Sequence, residues 1–157
     1  MKRLRTVTFA MGTCLAALIA GPVRADTNPF IGNWHWNPGQ STLPPDEPPP
    51  TDLRTEISRR DNNRLAWSVT VLTPDGQSHV ETFDAAIDGK FQPVSGDTTA
   101  SFRLAGNTLQ AMFKGPSGQS DALTCSVSPD QQRLTCNGTV NNGDGRTIHY
   151  VDVYDRR

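Results

Sequence analysis

The sequence has little of what enzymatic and metal sites require. Its only histidines, His35, His79 and His149, stand apart from any recognisable nucleophile motif, and neither Cys-x-x-Cys nor helical histidine spacing suggests zinc. Glycine-rich phosphate loops are missing, because the glycines fall in turn sequences. Neighbouring carboxylates such as Asp152 and Asp155 fall near a strand end, where we expect solvent exposure. We therefore predict no catalytic residues, no metal and no cofactor, and expect that the protein is not an enzyme.

An apolar stripe of helical period is also missing from the chain after its amino-terminal segment. From residue 52 onward, runs of alternating apolar and polar residues are separated by turn sequences such as "TPDGQ", "LAGNT" and "SPDQQ". This rhythm is typical of consecutive β-hairpins and predicts nine or ten strands, near residues 30–37, 52–60, 64–73, 77–87, 90–94, 98–105, 108–114, 119–128, 132–140 and 146–155. Such a meander leaves unpaired edges unless it closes. The prediction is an all-β, antiparallel up-and-down barrel of about eight to ten strands.

The amino-terminal segment combines basic side chains with one apolar run, "TVTFAMGTCLAALIAG", and a small-x-small triplet that ends at Ala25. The run is shorter than the roughly 20 residues that cross a bilayer, and Cys14 lies in its middle, which disfavours a membrane or lipid anchor. Residues 1–25 are predicted to be a signal peptide cleaved after Ala25. Residues 26–157 would then form a single periplasmic or secreted domain without a membrane span.

The net charge argues against one class of partner, and the cysteines predict a disulfide. Cleavage removes one lysine and three arginines from 15 basic residues, leaving 11 against 16 acidic residues and a net charge of −5. A basic surface for nucleic acid is therefore not expected. In "CSVSPDQQRLTC" a four-residue loop pairs Ser128 with Arg133, and counting outward places Cys125 opposite Cys136. In an oxidising compartment these cysteines are predicted to form a core-facing disulfide.

Two further hairpins indicate which side chains share a face. The turn "LTPDGQ" pairs Thr73 with Gln77, and "RLAGNTL" pairs Leu104 with Leu109. The bulky faces that result are predicted to point into the barrel, and they carry Trp67, Val69, Val71, His79, Glu81, Phe83, Phe102 and Phe113. The histidine and the glutamate of this set are either polar handles for a ligand or solvated side chains at the rim.

The segment "STLPPDEPPPT", residues 41–51, holds five prolines and two acids. Proline lacks the amide hydrogen that strand pairing needs, so this segment cannot build a ladder. It is predicted to be a long, stiff loop of polyproline character that joins the first strand to the second. Its role is either that of a surface linker or that of a lid over an open barrel end.

Several segments together resemble a known family. Gly32-Asn33-Trp34 resembles the Gly-x-Trp motif of lipocalins. The strand "GNWHWNPGQST" and the segments "DGKFQPVSG", "FRLAGNTLQAMF", "VSPDQQRLT" and "VDVYDRR" resemble those of small secreted bacterial lipocalin-like proteins of unassigned function, over about residues 29–156. The resemblance implies a barrel with a central cavity. It also implies that Trp34 plugs the closed end beneath an arginine from a late strand, for which Arg146, Arg156 and Arg157 are the candidates.

The alternation of side chains along the first strand explains its two tryptophans. Phe30, Gly32, Trp34 and Trp36 share the face that would fill the barrel. Gly32 and Trp34 are therefore predicted to be structural, with Gly32 allowing a neighbouring backbone to approach closely.

These features lead to two competing functions. The first is an exported barrel that binds a small, largely apolar molecule, since eight strands already leave room for one small ligand. The candidate ligand-binding residues are Trp36, Trp67, His79, Glu81, Phe83, Phe102 and Phe113. The alternative is an envelope or secreted protein–protein interaction module with a solid core, in which the proline-rich loop meets a protein partner.

Overall fold

The structure, a computed structural model, describes residues 28–44, 48–61 and 63–157. Ten strands make up most of these residues: β1 (Gly32–Trp36), β2 (Asp52–Asp61), β3 (Arg64–Leu72), β4 (Ser78–Ala86), β5 (Gln92–Ser95), β6 (Thr98–Ala105), β7 (Thr108–Lys114), β8 (Ser120–Val127), β9 (Arg133–Asn141) and β10 (Thr147–Arg156). Among the described residues no helix is long and apolar enough to cross a membrane. The predicted signal peptide, residues 1–25, lies outside the described part of the chain.

The strands form one antiparallel sheet that curls into a nearly closed barrel. Each strand pairs with its neighbour in sequence, except β4 with β5, and β1 pairs with β10. Between β4 and β5 a side chain takes the place of a ladder: the Gln92 amide accepts from Ala86 N at 3.1 Å and donates to Ala86 O at 3.0 Å. The predicted all-β up-and-down barrel is confirmed, and every strand lies within two residues of its predicted bounds.

Main-chain hydrogen bonds hold the hairpins in their predicted registers. Thr73 N donates to Gln77 O at 2.9 Å, which fixes the β3–β4 turn. Leu104 of β6 lies opposite Leu109 of β7. Because a shift of one residue would turn every inward side chain outward, these registers determine what the interior contains.

Connections gather at the two ends of the barrel, since successive strands run in opposite directions. We call the end where β1 begins and β10 ends the packed end, and the opposite end, which carries residues 41–51, the proline-loop end. The packed end is filled by fully or almost fully buried apolar side chains: Phe30, Trp34, Ile57, Leu65, Leu109, Val127 and Leu134. The predicted facing of β1 is confirmed, because Trp34 and Trp36 are 1% and 5% exposed whereas His35 between them is partly exposed.

Arg156 covers Trp34 at the packed end. Its guanidinium carbon lies 4.1 Å from the centre of a Trp34 ring, within the range of a cation–π contact. The same guanidinium donates to Ile31 O at 2.8 Å, to Pro29 O at 2.6 Å and to Gln131 O. Of the three arginines that the sequence left open, Arg156 is therefore the one that packs on the tryptophan.

Gly32 makes room for this arginine. A β-carbon at Gly32 would overlap Nη1 of Arg156, and the φ angle of +148° is one that residues with side chains rarely adopt. The expectation that a neighbouring backbone approaches Gly32 is wrong, because the close neighbour is a side chain. The reason lies in the register: Arg156 stands opposite Trp34 in the β1–β10 ladder, so its side chain folds across the glycine.

The predicted disulfide is present between Cys125 of β8 and Cys136 of β9. The two cysteines are directly paired in the ladder, and Ser128 N donates to Arg133 O at 2.8 Å in the hairpin that joins the strands. Their side chains face the interior and are 1% and 5% exposed. The bridge thus fixes one part of the inner wall covalently.

The proline-rich segment does join β1 to β2, but its beginning is not a free loop. Thr42 N donates to Val151 O at 2.7 Å, and Val151 N donates to Thr42 O at 2.8 Å, which is one step of an antiparallel ladder. The expectation that no part of residues 41–51 pairs with a strand is wrong at this position, because Thr42 precedes the first proline and keeps its amide hydrogen. Leu43 packs against the core beside it. Residues 45–47 lie outside the described residues.

Replacing Trp34 by alanine is expected to lower the free energy of unfolding by about 3–5 kcal/mol, the range for a large aromatic side chain lost from a core. His35→Ala is the matched control on the same strand. It removes a partly exposed contact between His35 Nε2 and Asp52 Oδ1 (2.8 Å) and should cost about 1 kcal/mol or less. Denaturant titrations of both variants measure the difference, and equal midpoints would contradict the facing of β1.

Arg156→Lys is expected to lower the free energy of unfolding by about 2 kcal/mol, because an ammonium cannot bond to several carbonyls and stack on an indole at once. Arg157→Lys is the control, since Arg157 is exposed and its side chain makes only a 3.5 Å contact with His35. Thermal unfolding of both variants tests this. An equally large loss of stability in Arg157→Lys would show that the effect does not come from the packing of the guanidinium on Trp34.

Protein that begins at Asp26 should contain no reactive thiol before reduction. Replacing both Cys125 and Cys136 by alanine is expected to lower the free energy of unfolding by about 2–3 kcal/mol, the loss predicted for opening a loop of this length. Thiol counting and denaturant titration measure the two effects. A reducing agent should destabilise the parent protein and leave the double variant unchanged.

Candidate functional site

A cavity of about 290 Å³ lies inside the barrel between the packed end and the proline-loop end. Because side chains alternate along a strand, every second residue of eight strands contributes to its wall. The lining residues are Thr55, Trp67, Val69, Glu81, Phe83, Phe102, Ala111, Phe113, Asp121, Leu123, Cys125, Leu134, Cys136 and Tyr154. The lining residues thus come from eight of the ten strands.

One wall of the cavity is aromatic. Trp67 and Phe83 are paired across β3 and β4 with ring centres 5.8 Å apart, and Phe102 lies 5.9 Å from the Trp67 ring and 5.6 Å from the Phe83 ring. Phe113 meets both phenylalanines edge-on, at 5.8 and 5.6 Å. These separations are typical of favourable aromatic pairs. The four rings hold one another in place and present an apolar surface to the cavity.

The aromatic wall gives way to polar groups at β8. Asp121 lies opposite Phe113 in the β7–β8 ladder, and its Oδ2 accepts a 2.8 Å hydrogen bond from the Tyr150 hydroxyl. Its Oδ1 is buried and has no hydrogen-bond partner. Gly138 makes this pairing possible, because a β-carbon there would overlap the Tyr150 ring. A buried acceptor without a donor is costly. Asp121 therefore keeps one unsatisfied carboxyl oxygen in the wall of the cavity.

A second polar group lies nearby on β10. Asp152 Oδ1 accepts a hydrogen bond from Trp36 Nε1 at 3.1 Å, and the buried Tyr154 lies near enough to Asp152 for the two side chains to interact electrostatically. The expectation that Asp152 and Asp155 are both solvated is wrong for Asp152. The two face opposite sides of the strand, and Asp152 stands opposite the inward-facing cysteine of β9 in the ladder.

Burial sets the protonation behaviour of these groups. It raises the pKa of Asp121, the charge of Asp152 adds to the effect, and the hydrogen bond from Tyr150 opposes it. Burial also raises the pKa of Asp152, against the hydrogen bond from its tryptophan. The pKa values of Tyr150 and Tyr154 are raised as well, so both hydroxyls remain protonated at neutral pH. The polar side of the interior thus combines carboxyl groups with fixed hydroxyl donors.

The predicted site residues divide into three groups in the structure. The largest group lines the cavity together, namely Trp67, Glu81, Phe83, Phe102 and Phe113. Trp36 belongs to the buried core cluster that also holds Trp34; it does not line the cavity, and its Nε1 donates to Asp152. His79 is exposed, lies opposite Val71 near the proline-loop end, and does not line the cavity.

Sequence reasoning missed the acid and tyrosine groups, Asp121, Tyr150, Asp152 and Tyr154. The available signal was the register of the cysteine hairpin. Counting two residues at a time from Cys125 reaches Leu123 and then Asp121, all on the inward face. The same count along β10 needs the β9–β10 register, which the loop of residues 142–146 does not reveal.

The charged side chains among the described lining residues of the cavity are all acidic. Glu81 and Asp121 line it, and no lysine, arginine or histidine is among its described lining residues. In the described part of the chain, no three histidine, cysteine, aspartate or glutamate side chains gather in a way that could hold a metal ion. The site therefore offers an aromatic surface, carboxyl oxygens and hydroxyl groups to whatever enters it.

No protein-family model matches the sequence, and no curated protein is similar to it. Solved structures are similar to it in fold. Wild-type fluorescent protein UnaG superposes with a TM-score of 0.56 at 17% identity, over 82% of this chain and 97% of that one. A mutant of the REP1-NXSQ fatty acid transporter gives 0.55 at 13% identity, over 81% and 97%. The fatty acid-binding protein from Drosophila melanogaster brain gives 0.53 at 12% identity, over 80% and 98%. The chain therefore has a lipocalin-like barrel fold, of the form found in fatty acid-binding proteins.

Proposed function

We propose that this protein is an exported binding protein that holds a small, largely apolar molecule inside its barrel, without enzymatic activity. The observation that carries the proposal is the cavity of about 290 Å³, with four contacting aromatic rings on one side and oriented polar groups on the other. Pockets for small molecules commonly have this composition, and their volumes begin at about 300 Å³.

The cavity also separates this proposal from a solid interaction module. A barrel that serves only as a rigid support gains stability by filling its interior, because each unfilled volume forfeits packing contacts. Here the packed end is filled while the middle of the barrel is left empty next to a carboxyl oxygen without a partner. The unfilled volume and the unsatisfied oxygen both reduce stability, and a bound ligand would offset this loss by filling the volume.

Export is part of the proposal. The buried disulfide between β8 and β9 suits an oxidising compartment, such as the bacterial periplasm or the extracellular space. The amino-terminal segment, with its basic residues and its apolar run, has the pattern of a signal peptide. The resemblance to small secreted bacterial lipocalin-like proteins agrees with this location.

Phenylnaphthylamine, an uncharged apolar dye that brightens in apolar surroundings, should bind to the protein saturably with one molecule per chain. Ala111→Phe is expected to weaken this binding at least tenfold, because Ala111 lines the cavity opposite Phe102 and a ring there occupies the ligand's volume. Ala122→Phe is the matched control. Ala122 shares the outer face with Met112 on the neighbouring strand, so the same change there should leave the affinity within about twofold.

Fluorescence titration measures the affinities, and native mass spectrometry of freshly purified protein shows whether a small molecule is already bound. If Ala111→Phe and Ala122→Phe weaken dye binding equally, the dye does not bind specifically in the cavity. Folded, oxidised protein with no saturable dye binding and no bound molecule would overturn the proposal in favour of a protein-partner function.

A further inference from the structure

The interior carboxyl groups face the cavity from two sides. Asp121 reaches it from β8 and Glu81 from β4, and Asp152 lies behind the wall on β10. No basic side chain is among the described residues that line the cavity, so nothing in the wall compensates these acids. The nearby arginine at the packed end, Arg156, is committed to Trp34 and to main-chain carbonyls.

Asp121 is the more buried of the two carboxyl groups that line the cavity. The Tyr150 hydroxyl satisfies Oδ2 at 2.8 Å, but the buried Oδ1 has no donor. Its strand neighbour across the ladder is Phe113, the edge of the aromatic wall. A buried carboxyl group with an unsatisfied oxygen therefore belongs to a side chain that lines the cavity next to an apolar ring.

We propose that the cavity selects small aromatic or apolar amines in their protonated form, and that it disfavours carboxylates such as fatty acids. This inference rests on the proposed ligand-binding function and names the chemical class of the ligand. The ammonium group lies beside the carboxyl groups of Asp121 and Glu81, and the apolar body lies against the rings of Phe83, Phe102 and Phe113.

Elementary interactions favour a cation here. An ammonium carries three donors and no acceptor, so it suits a wall whose charged groups, Asp121 and Glu81, are both carboxyl acceptors. A cation close to aromatic faces gains further stabilisation, more so when it is shielded from water. A ligand carboxylate would instead meet Asp121 and Glu81 as like charges, and it would find no basic partner in the described wall.

Cinnamylamine, cinnamyl alcohol and cinnamate test the inference, because they share one aromatic body and differ in the charge of the end group. Isothermal titration calorimetry at neutral pH and low ionic strength measures their affinities for the full processed protein. The amine is expected to bind at least tenfold more tightly than the alcohol, and the carboxylate at least tenfold more weakly than the alcohol.

Asp121→Asn tests the assigned residue. The ratio of amine to alcohol affinity should fall at least tenfold, because the amide keeps an acceptor for Tyr150 but loses the negative charge. The melting temperature at neutral pH should not fall. The pKa of Asp121 is raised in the folded state, so its carboxyl stabilises the protein most below the ordinary value of 3.8 and loses that contribution as the pH rises.

Glu81→Gln is the second variant, and a smaller fall in the same ratio is expected because Glu81 is exposed to solvent. Asp97→Asn is the matched control: it removes one negative charge from an exposed turn outside the cavity and should leave the ratio unchanged.

The outcomes separate this inference from the proposed function. Binding of phenylnaphthylamine together with equal affinities for the three cinnamyl compounds, or with a preference for cinnamate, would overturn the amine selectivity and leave the binding function intact. An amine preference that survives in Asp121→Asn, or that falls equally in Asp97→Asn, would overturn the role of Asp121. Failure of the dye and of all three cinnamyl compounds to bind would overturn both.

Discussion

The barrel depends on one cation held over one indole ring. Arg156 stacks on Trp34 and donates to main-chain oxygens of Pro29 and Ile31 before β1, and to Gln131 in the β8–β9 hairpin. Such charge-assisted bonds are stronger than neutral ones, and the planar guanidinium suits several acceptors in fixed directions. The contact joins the first strand, the last strand and a central hairpin. Because the β1–β10 pair joins the two halves of the ten-stranded sheet, this contact helps to hold the halves together at the packed end.

Above that packed end, the interior changes in character. Large apolar side chains fill the volume around Trp34, whereas the middle of the barrel holds an aromatic wall, an empty volume and buried acids. The first region lowers the free energy of the fold through burial of apolar surface, at about 25 cal/mol per Å². The second raises it, since desolvated carboxyl groups and unfilled volume are both unfavourable. Proteins commonly accept such a local cost where they bind something.

Much of this architecture could be predicted from local sequence. Turn sequences such as "TPDGQ" determine hairpin registers, and the alternation of side chains then assigns Trp34, Phe83 and Phe102 to the interior. The choice of arginine could not be made, because three of them follow late in the chain and only the β1–β10 register singles out Arg156. The cavity was equally beyond local reasoning. Whether inward side chains fill a space or surround it depends on eight strands meeting, which no single hairpin specifies.

The acids illustrate the same limit. Asp152 looked solvated because it stands near another aspartate close to a strand end, yet its carboxyl faces Trp36 from the inner side of the barrel. The common face of His79 and Glu81 predicts that they share a ligand, but His79 lies two residues nearer the proline-loop end and does not line the cavity. A common face is a necessary condition for a shared site, and depth along the barrel decides the rest.

The seam between β4 and β5 sets the circumference of the barrel in an unusual way. Nine ladders close the remainder of the ring, whereas here one glutamine side chain imitates a ladder step by bonding to both main-chain groups of Ala86. Widening any other strand pair would break a row of main-chain hydrogen bonds. Widening the β4–β5 seam would break only the two hydrogen bonds of the Gln92 side chain, so the ring of strands opens there at the smallest cost in hydrogen bonds.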